Sequence, residues 1–249
     1  MIMVERFINW CEFRNLSTKT ITSYAYILKK IFDVENNSHF NILKIICNNS
    51  KSSGYQHLLK VVYLLYLKFT KQKEKYLQVK MLKIKKPDSI YRDVLTREQI
   101  YELTELLATD SKALHYYKIL TRFIFETGCR YSDLKNLKEV DGKIFVLGKG
   151  NKKRQILYNV ETWQKLKFYG NKVNKQKNTS LNLYIKKIFG DKCSAHTLRR
   201  SFATYMLLKG ANVKMVQKQM GHQDINTTYN YFHISETENN QIYKEFMLK

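Results

Sequence analysis

The sequence predicts a mainly α fold with a small β-sheet or hairpin, divided into two domains. Three observations predict it. Apolar residues recur near the helical period through most of the chain. One stretch, 143–158, departs from that period, with two β-rich runs around a glycine-containing loop. The only proline, Pro87, falls in a lysine-rich stretch between two helical regions. With 249 residues the chain can fill one large domain or two modest ones.

Residues 4–80 read as helical. Phe7, Ile8 and Cys11, then Ile27, Leu28, Ile31 and Phe32, then Leu58, Leu59, Val62, Leu65 and Leu67 form apolar stripes at helical spacing. Leu16-Ser-Thr-Lys-Thr20 offers several N-caps for the second stretch. The polar run 48–54 reads as a loop. The apolar run 58–69 carries Lys60 and Lys68 and is too short to span a membrane, so it reads as a buried helix. The opening MIMVERFINW carries Glu5 and Arg6 and has no apolar core of a signal peptide.

The stretch 80–90, KMLKIKKPDSI, comes next. Proline disfavours helix at the residue before it, so this reads as an extended basic linker. The expected division is a helical domain over 1–80, a linker over 81–95 and a second domain over 96–249. In the second domain, 96–127 again reads as helical and opens with a capping-box pattern, Thr96-Arg-Glu-Gln99. The hairpin stretch follows as KIFVL, GKGNKK and RQILY. Helical patterns then resume, ending in a short helix over 241–248 with Ile242 and Phe246 on one face.

Forty-four Lys and Arg stand against 21 Asp and Glu, a net charge of +23. So large an excess points to a polyanionic partner, because every neutralised phosphate releases counterions. Divided at Asp88, the first part carries +10 and the second +13, so both suit a grip on nucleic acid. Cys11, Cys47, Cys129 and Cys193 are scattered, with no CxxC and no His at metal spacing. That pattern predicts a reduced, cytoplasmic protein with no structural zinc.

Five segments carry candidate chemistry. Glu126-Thr-Gly-Cys-Arg-Tyr-Ser-Asp-Leu134 places Arg130 just after a helix-ending glycine, with Ser132 or Asp133 as a cap and Asp133 as a partner that could orient Arg130. Leu147-Gly-Lys-Gly-Asn-Lys-Lys-Arg154 puts lysines on a hairpin tip, and its glycine spacing is not that of a P-loop. Ala195-His-Thr-Leu-Arg-Arg-Ser-Phe-Ala203 sets His196 and Arg199 one helical turn apart. Met220-Gly-His-Gln-Asp224 supplies His222, and Thr227-Thr-Tyr-Asn-Tyr-Phe-His233 supplies Tyr231. Taken singly, each reads as readily as a charged surface or a packed ring, for the chain has 18 tyrosines.

The order TGxRxS, GKGxKxR, HxLR, GH, TTxxY resembles the catalytic domain of the tyrosine recombinases, the phage-integrase and Xer-type family. The resemblance covers about 96–235. It implies a catalytic set of Arg130, Lys149, His196, Arg199 and His222, with Tyr231 as nucleophile. Lys152 is the alternative to Lys149, and Tyr229 competes with Tyr231. Arg200 stands where relatives often have His, and Asp133 where many have Glu. The first domain carries no sharp motif and resembles the family's DNA-binding domain only in length, helicity, charge and position.

The resemblance further implies two domains closing as a clamp on double-stranded DNA, and strand cleavage through a 3′-phosphotyrosine without cofactor, metal or ATP. It also implies a homotetramer joined through the tail residues Ile242 and Phe246. The absence of a Walker motif and of a carboxylate cluster for magnesium agrees with this chemistry. A Xer-like resolvase and a simple integrase both fit. The alternatives are a type IB topoisomerase, which shares the Arg-Lys-Arg-His-Tyr logic, and a catalytically silent DNA-binding protein on the same scaffold.

Overall fold

The computed structural model describes residues 2–32, 38–48, 50–85, 94–147, 153–170, 173, 177–229 and 231. The chain divides into two compact units, 1–90 and 91–249. Pro87, the hairpin tip with Lys149 and Lys152, and the tail with Ile242 and Phe246 lie outside the described residues.

The first unit is helical. It comprises α1 (Ile2–Phe13), α2 (Thr18–Phe32), α3 (His39–Ile46), α4 (Ser53–Phe69) and α5 (Lys73–Met81). Ser38 and Ser52 cap α3 and α4 by accepting from Asn41 N and Tyr55 N. Helix α4 packs against the other four and buries Leu59, Val62, Tyr63 and Leu67 among Phe7, Leu28, Ile31, Ile42 and Val79. His39 ties α3 to α4 and α5, bonding Tyr63 Oη at 2.9 Å and Gln78 Oε1 at 2.8 Å. Lys60 Nζ donates to the carbonyls of Lys80 and Leu82, satisfying the C-terminal end of α5.

The second unit begins with α6 (Arg97–Leu103), opened by the capping box of Thr96 and Gln99. What reads in sequence as one helical stretch over 96–127 is two helices. Ser111 caps a new helix, α7 (Lys112–Thr127), and Asp110 accepts from Leu107 N and pairs with Lys118 at 2.8 Å. Helix α7 is buried along most of its length, with Tyr116, Ile119, Leu120, Phe123, Ile124 and Phe125 in the core.

A 3₁₀ helix (Tyr131–Asn136) leads into a three-stranded antiparallel sheet of β1 (Lys138–Val140), β2 (Lys143–Leu147) and β3 (Lys153–Ile156), in that order. The expected hairpin is β2–β3, with Val146 opposite Arg154. The sheet adds β1, joined to β2 by Asp141-Gly142, both at positive φ as a tight hairpin turn requires. Ile144, Val146 and Ile156 face the core. Helices α8 (Val160–Lys167), α9 (Asn178–Phe189), α10 (Ala195–Leu208), α11 (Val213–Met220) and α12 (Asn226–Tyr229) follow among the described residues. Among them, α10 lies along α7.

Candidate active site

Two helix ends build the site. Helix α7 stops at Gly128, which is left-handed at φ +60°. A Cβ there would stand 2.2 Å from the Phe202 ring, so only glycine lets α10 pack this closely. Helix α11 stops at Gly221, also left-handed at φ +68°. Each end leaves carbonyls without helical partners and carries the negative pole of its helix.

Two arginines occupy these ends. Arg199, on α10 and only 3% exposed, donates Nη1 to Gly128 O at 2.6 Å and Nη2 to Met220 O at 2.8 Å. Arg130, at the start of the 3₁₀ helix, donates Nη1 to Met220 O at 3.4 Å and Nη2 to Gly221 O at 3.1 Å. The Met220 carbonyl therefore serves both guanidiniums. Burial, then the neighbouring Arg130, lower the Arg199 pKa to about 10, which still leaves it charged at neutral pH.

Asp133 is buried and, as the sequence suggested, is a partner of Arg130, but it meets the main chain rather than the guanidinium. Its Oδ2 accepts from the Arg130 backbone N at 2.9 Å and forms an ion pair with Arg154 Nη2 at 2.7 Å. The physical reason lies in the helix start. Arg130 N is an unpaired donor at the first turn, and a carboxylate three residues on is the group that reaches it.

His222 follows Gly221. Its Nδ1 lies 2.8 Å from the buried Thr228 hydroxyl, and its ring stacks on Tyr231 with centroids 5.9 Å apart and planes at 25°. Desolvation, then the charges of Arg199, Arg130 and Arg154, push the His222 pKa down to about 4. A neutral imidazole that accepts from Thr228 at Nδ1 carries its proton on Nε2, free to donate to a ligand. Tyr231 is half-buried against the core, and its backbone N donates to Thr228 O at 3.1 Å. Tyr229 is 50% exposed on α12.

His196 lies in the first turn of α10 and remains exposed. Desolvation by the surrounding protein, then Arg199, Arg130 and Arg200, lower its pKa. Arg130 and His222 line an open cleft of roughly 670 Å³ together with Lys153, Arg154, Gly221 and Asp224. The structure thus joins Arg130 and Arg199 through the Met220 carbonyl, stacks His222 on Tyr231, and couples His222 and His196 to the two arginines electrostatically. Lys149 falls outside the described residues.

Three contributors carried no assigned role in the sequence reading. Thr228 holds the His222 ring, and the TTxxY motif already contained it. Arg154 pairs with Asp133, and the GKGxKxR motif contained it. Gln219 had no signal at all. It is buried, donates Nε2 to Thr127 O and Leu157 O, and accepts from Leu157 N, tying α7, α11 and the end of β3 together. Chemically, the cluster concentrates guanidinium charge and one neutral imidazole beside a tyrosine, which suits a tetrahedral anion such as a phosphodiester. Among the described residues no group of His, Cys, Asp and Glu is arranged to hold a metal ion.

Residues 93–238 match the profile of the phage integrase family. Tyrosine recombinase XerD of Staphylococcus haemolyticus is 30% identical, over 62% of this chain and 62% of its own length. The chain thus spans less than two thirds of that relative. Tyrosine recombinase XerD of Staphylococcus aureus is 26% identical over 98% of both chains. Among solved structures, a lambda integrase tetramer bound to a Holliday junction is similar with a TM-score of 0.70 and 16% identity, covering 89% of this chain and 76% of that one.

Proposed function

The chain belongs to the phage integrase family, and from that premise we propose that it is a site-specific DNA recombinase acting through a phosphotyrosine at Tyr231. The observation that carries this is the shared anchor of Arg130 and Arg199 on the Met220 carbonyl, two residues before the imidazole that stacks on Tyr231.

In this reading the scissile phosphate enters the cleft beside Arg130 and His222. Tyr231 Oη attacks phosphorus, and the bond to the 5′ oxygen breaks. Arg130, Arg199 and the Nε2 proton of His222 stabilise the charge that builds on the non-bridging oxygens. His196 assists removal of the phenolic proton, and Lys149 protonates the departing 5′ oxygen. The products are a 3′-phosphotyrosine and a 5′-hydroxyl. Rejoining is the same displacement reversed, because the phosphotyrosine ester conserves the bond energy.

Double-stranded DNA is the partner, gripped by both basic units as a clamp. The chain works in the cytoplasm as a Xer-like resolvase or a simple integrase. Four copies assemble on two synapsed sites, as the lambda integrase tetramer bound to a Holliday junction illustrates for its own chain. Ile242 and Phe246 of one copy dock on the next. Ile242→Ala/Phe246→Ala should bind one site normally and lose cooperative binding to two. Unchanged cooperativity in a gel shift would remove the tail from assembly.

The activity is tested with nicked duplexes whose flanking arms are randomised. Incubation with the full chain and denaturing electrophoresis should capture a covalent adduct and enrich one arm sequence. A plasmid carrying two copies of that sequence should then recombine. Relaxation of supercoils without recombination would point to a topoisomerase. Binding without any adduct would point to a silent DNA-binding protein.

A further inference from the structure

We propose that Arg154 is a positioning residue for strand cleavage, acting through Arg130 rather than on DNA. The inference rests on the recombinase reading of the site and concerns a residue to which that reading gives no task.

Arg154 stands on β3 opposite Val146 and reaches across to three parts of the site. Its Nη2 pairs with Asp133 Oδ2 at 2.7 Å, the same oxygen that receives the Arg130 backbone N. Its Nε donates to Gln219 O at 3.3 Å on α11. Its guanidinium also lies against Gly221, where an added Cβ would stand 2.8 Å from both Cζ and Nε. The carbonyl of that same glycine receives Arg130 Nη2. Arg130 is therefore held at both its ends, main chain and guanidinium, by groups that Arg154 touches.

The chemistry of the contacts explains why arginine is needed. A planar fork can pair with a carboxylate on one edge and a carbonyl on another while its face covers a glycine. Lysine keeps the charge but offers one point donor. The Arg154 side chain is only 13% exposed and Asp133 2%, so the pair is shielded from water and gives the hairpin a fixed anchor in the site. The charge of Arg154 also adds to the desolvation and the other guanidiniums that keep His222 neutral.

A residue that acts through Arg130 leaves substrate affinity alone and loses its effect once Arg130 is altered. The experiment uses the full chain and the nicked duplex recovered from the randomised pool. Single-turnover adduct formation and gel-shift affinity are measured for wild type, Arg154→Lys, Arg130→Lys and the double variant, with a melting curve for each. Arg154→Lys should slow adduct formation at least tenfold while affinity and its salt dependence stay within about twofold of wild type. In the Arg130→Lys background the same change should cost less than twofold more.

Three results would overturn the proposal. Affinity and rate falling together, with a shallower salt dependence, would make Arg154 a direct phosphate contact. Multiplying rate effects in the double variant would make the two arginines independent. Loss of folding in Arg154→Lys, confirmed by Arg154→Gln, would make Arg154 a stability element. Failure of the wild-type chain to form any adduct would instead count against the recombinase reading itself.

Discussion

Gly128→Ala tests whether the close approach of α7 and α10 sets the site. The new methyl carbon would lie 2.2 Å from Phe202 Cδ1 and 2.6 Å from Cε1, and Phe202 is 5% exposed with little room to turn. Holding alanine in the left-handed region costs about 1–2 kcal/mol. Forcing a methyl into a packed core costs about 1–3 kcal/mol. The loss should therefore be about 2–5 kcal/mol, a fall in melting temperature on the order of 5–15 °C for a unit of this size. Trp163, in the second unit, is buried and reports its unfolding once Trp10 is replaced by Phe. Because Gly128 O holds Arg199 Nη1 at 2.6 Å, adduct formation should also slow at a temperature where the variant is folded. Phe202→Leu in the same chain relieves the clash and should restore part of both losses. A stability loss below about 1 kcal/mol, or no recovery in the double variant, would refute the packing argument.

Arg130→Ala and Arg199→Ala should each slow adduct formation on the order of 10²–10³-fold, because the charge they meet is greatest in the transition state. Quench-flow assays check this, and rates within about twofold of wild type would remove that arginine from the reaction. Thr228→Val keeps the volume but takes away the hydrogen bond to His222 Nδ1, so adduct formation should fall roughly three- to tenfold, in line with a bond worth about 1 kcal/mol. An unchanged rate would mean that Thr228 does not select the tautomer. The His222 pKa is lowered from 6.5 to about 4 on folding, so the unfolded chain takes up the proton first as pH falls. Stability is full above about pH 6.5 and declines toward pH 4, by at most about 3 kcal/mol from this residue. Denaturant titrations of wild type and His222→Gln should diverge over that window, and parallel curves would contradict the sign.

The fold was legible wherever a signal is local. Thr96 and Gln99 name their capping box three residues apart, Gly128 marks the end of α7, and the 143–158 pattern announces a hairpin. The second hairpin, turned at Asp141-Gly142, was not read, because β1 is three exposed residues, too short to show alternation. Helix α5 mixes Leu77, Val79 and Met81 with charged residues in no helical stripe and buries only Val79, so its place depends on α4 rather than on its own periodicity. In the site, motif order nominated six residues without geometry. It could not show that Asp133 pairs with Arg154, 21 positions away, or that Gln219 binds backbone at Thr127 and Leu157. Those contacts join α7, β3 and α11, and no spacing along the chain encodes them.

Strand cleavage turns on the nucleophile. Adduct trapped on the enriched nicked duplex can be digested with trypsin and nuclease and sequenced by mass spectrometry. The peptide from Gln219 to Lys244 contains Tyr229, Tyr231 and Tyr243, and fragment masses separate them. A 3′-phosphonucleotide is expected on Tyr231 alone, with no adduct from Tyr231→Phe, which should still bind the duplex within about twofold of wild type. Adduct mass on Tyr229 or Tyr243, or adduct persisting in Tyr231→Phe, would contradict that assignment.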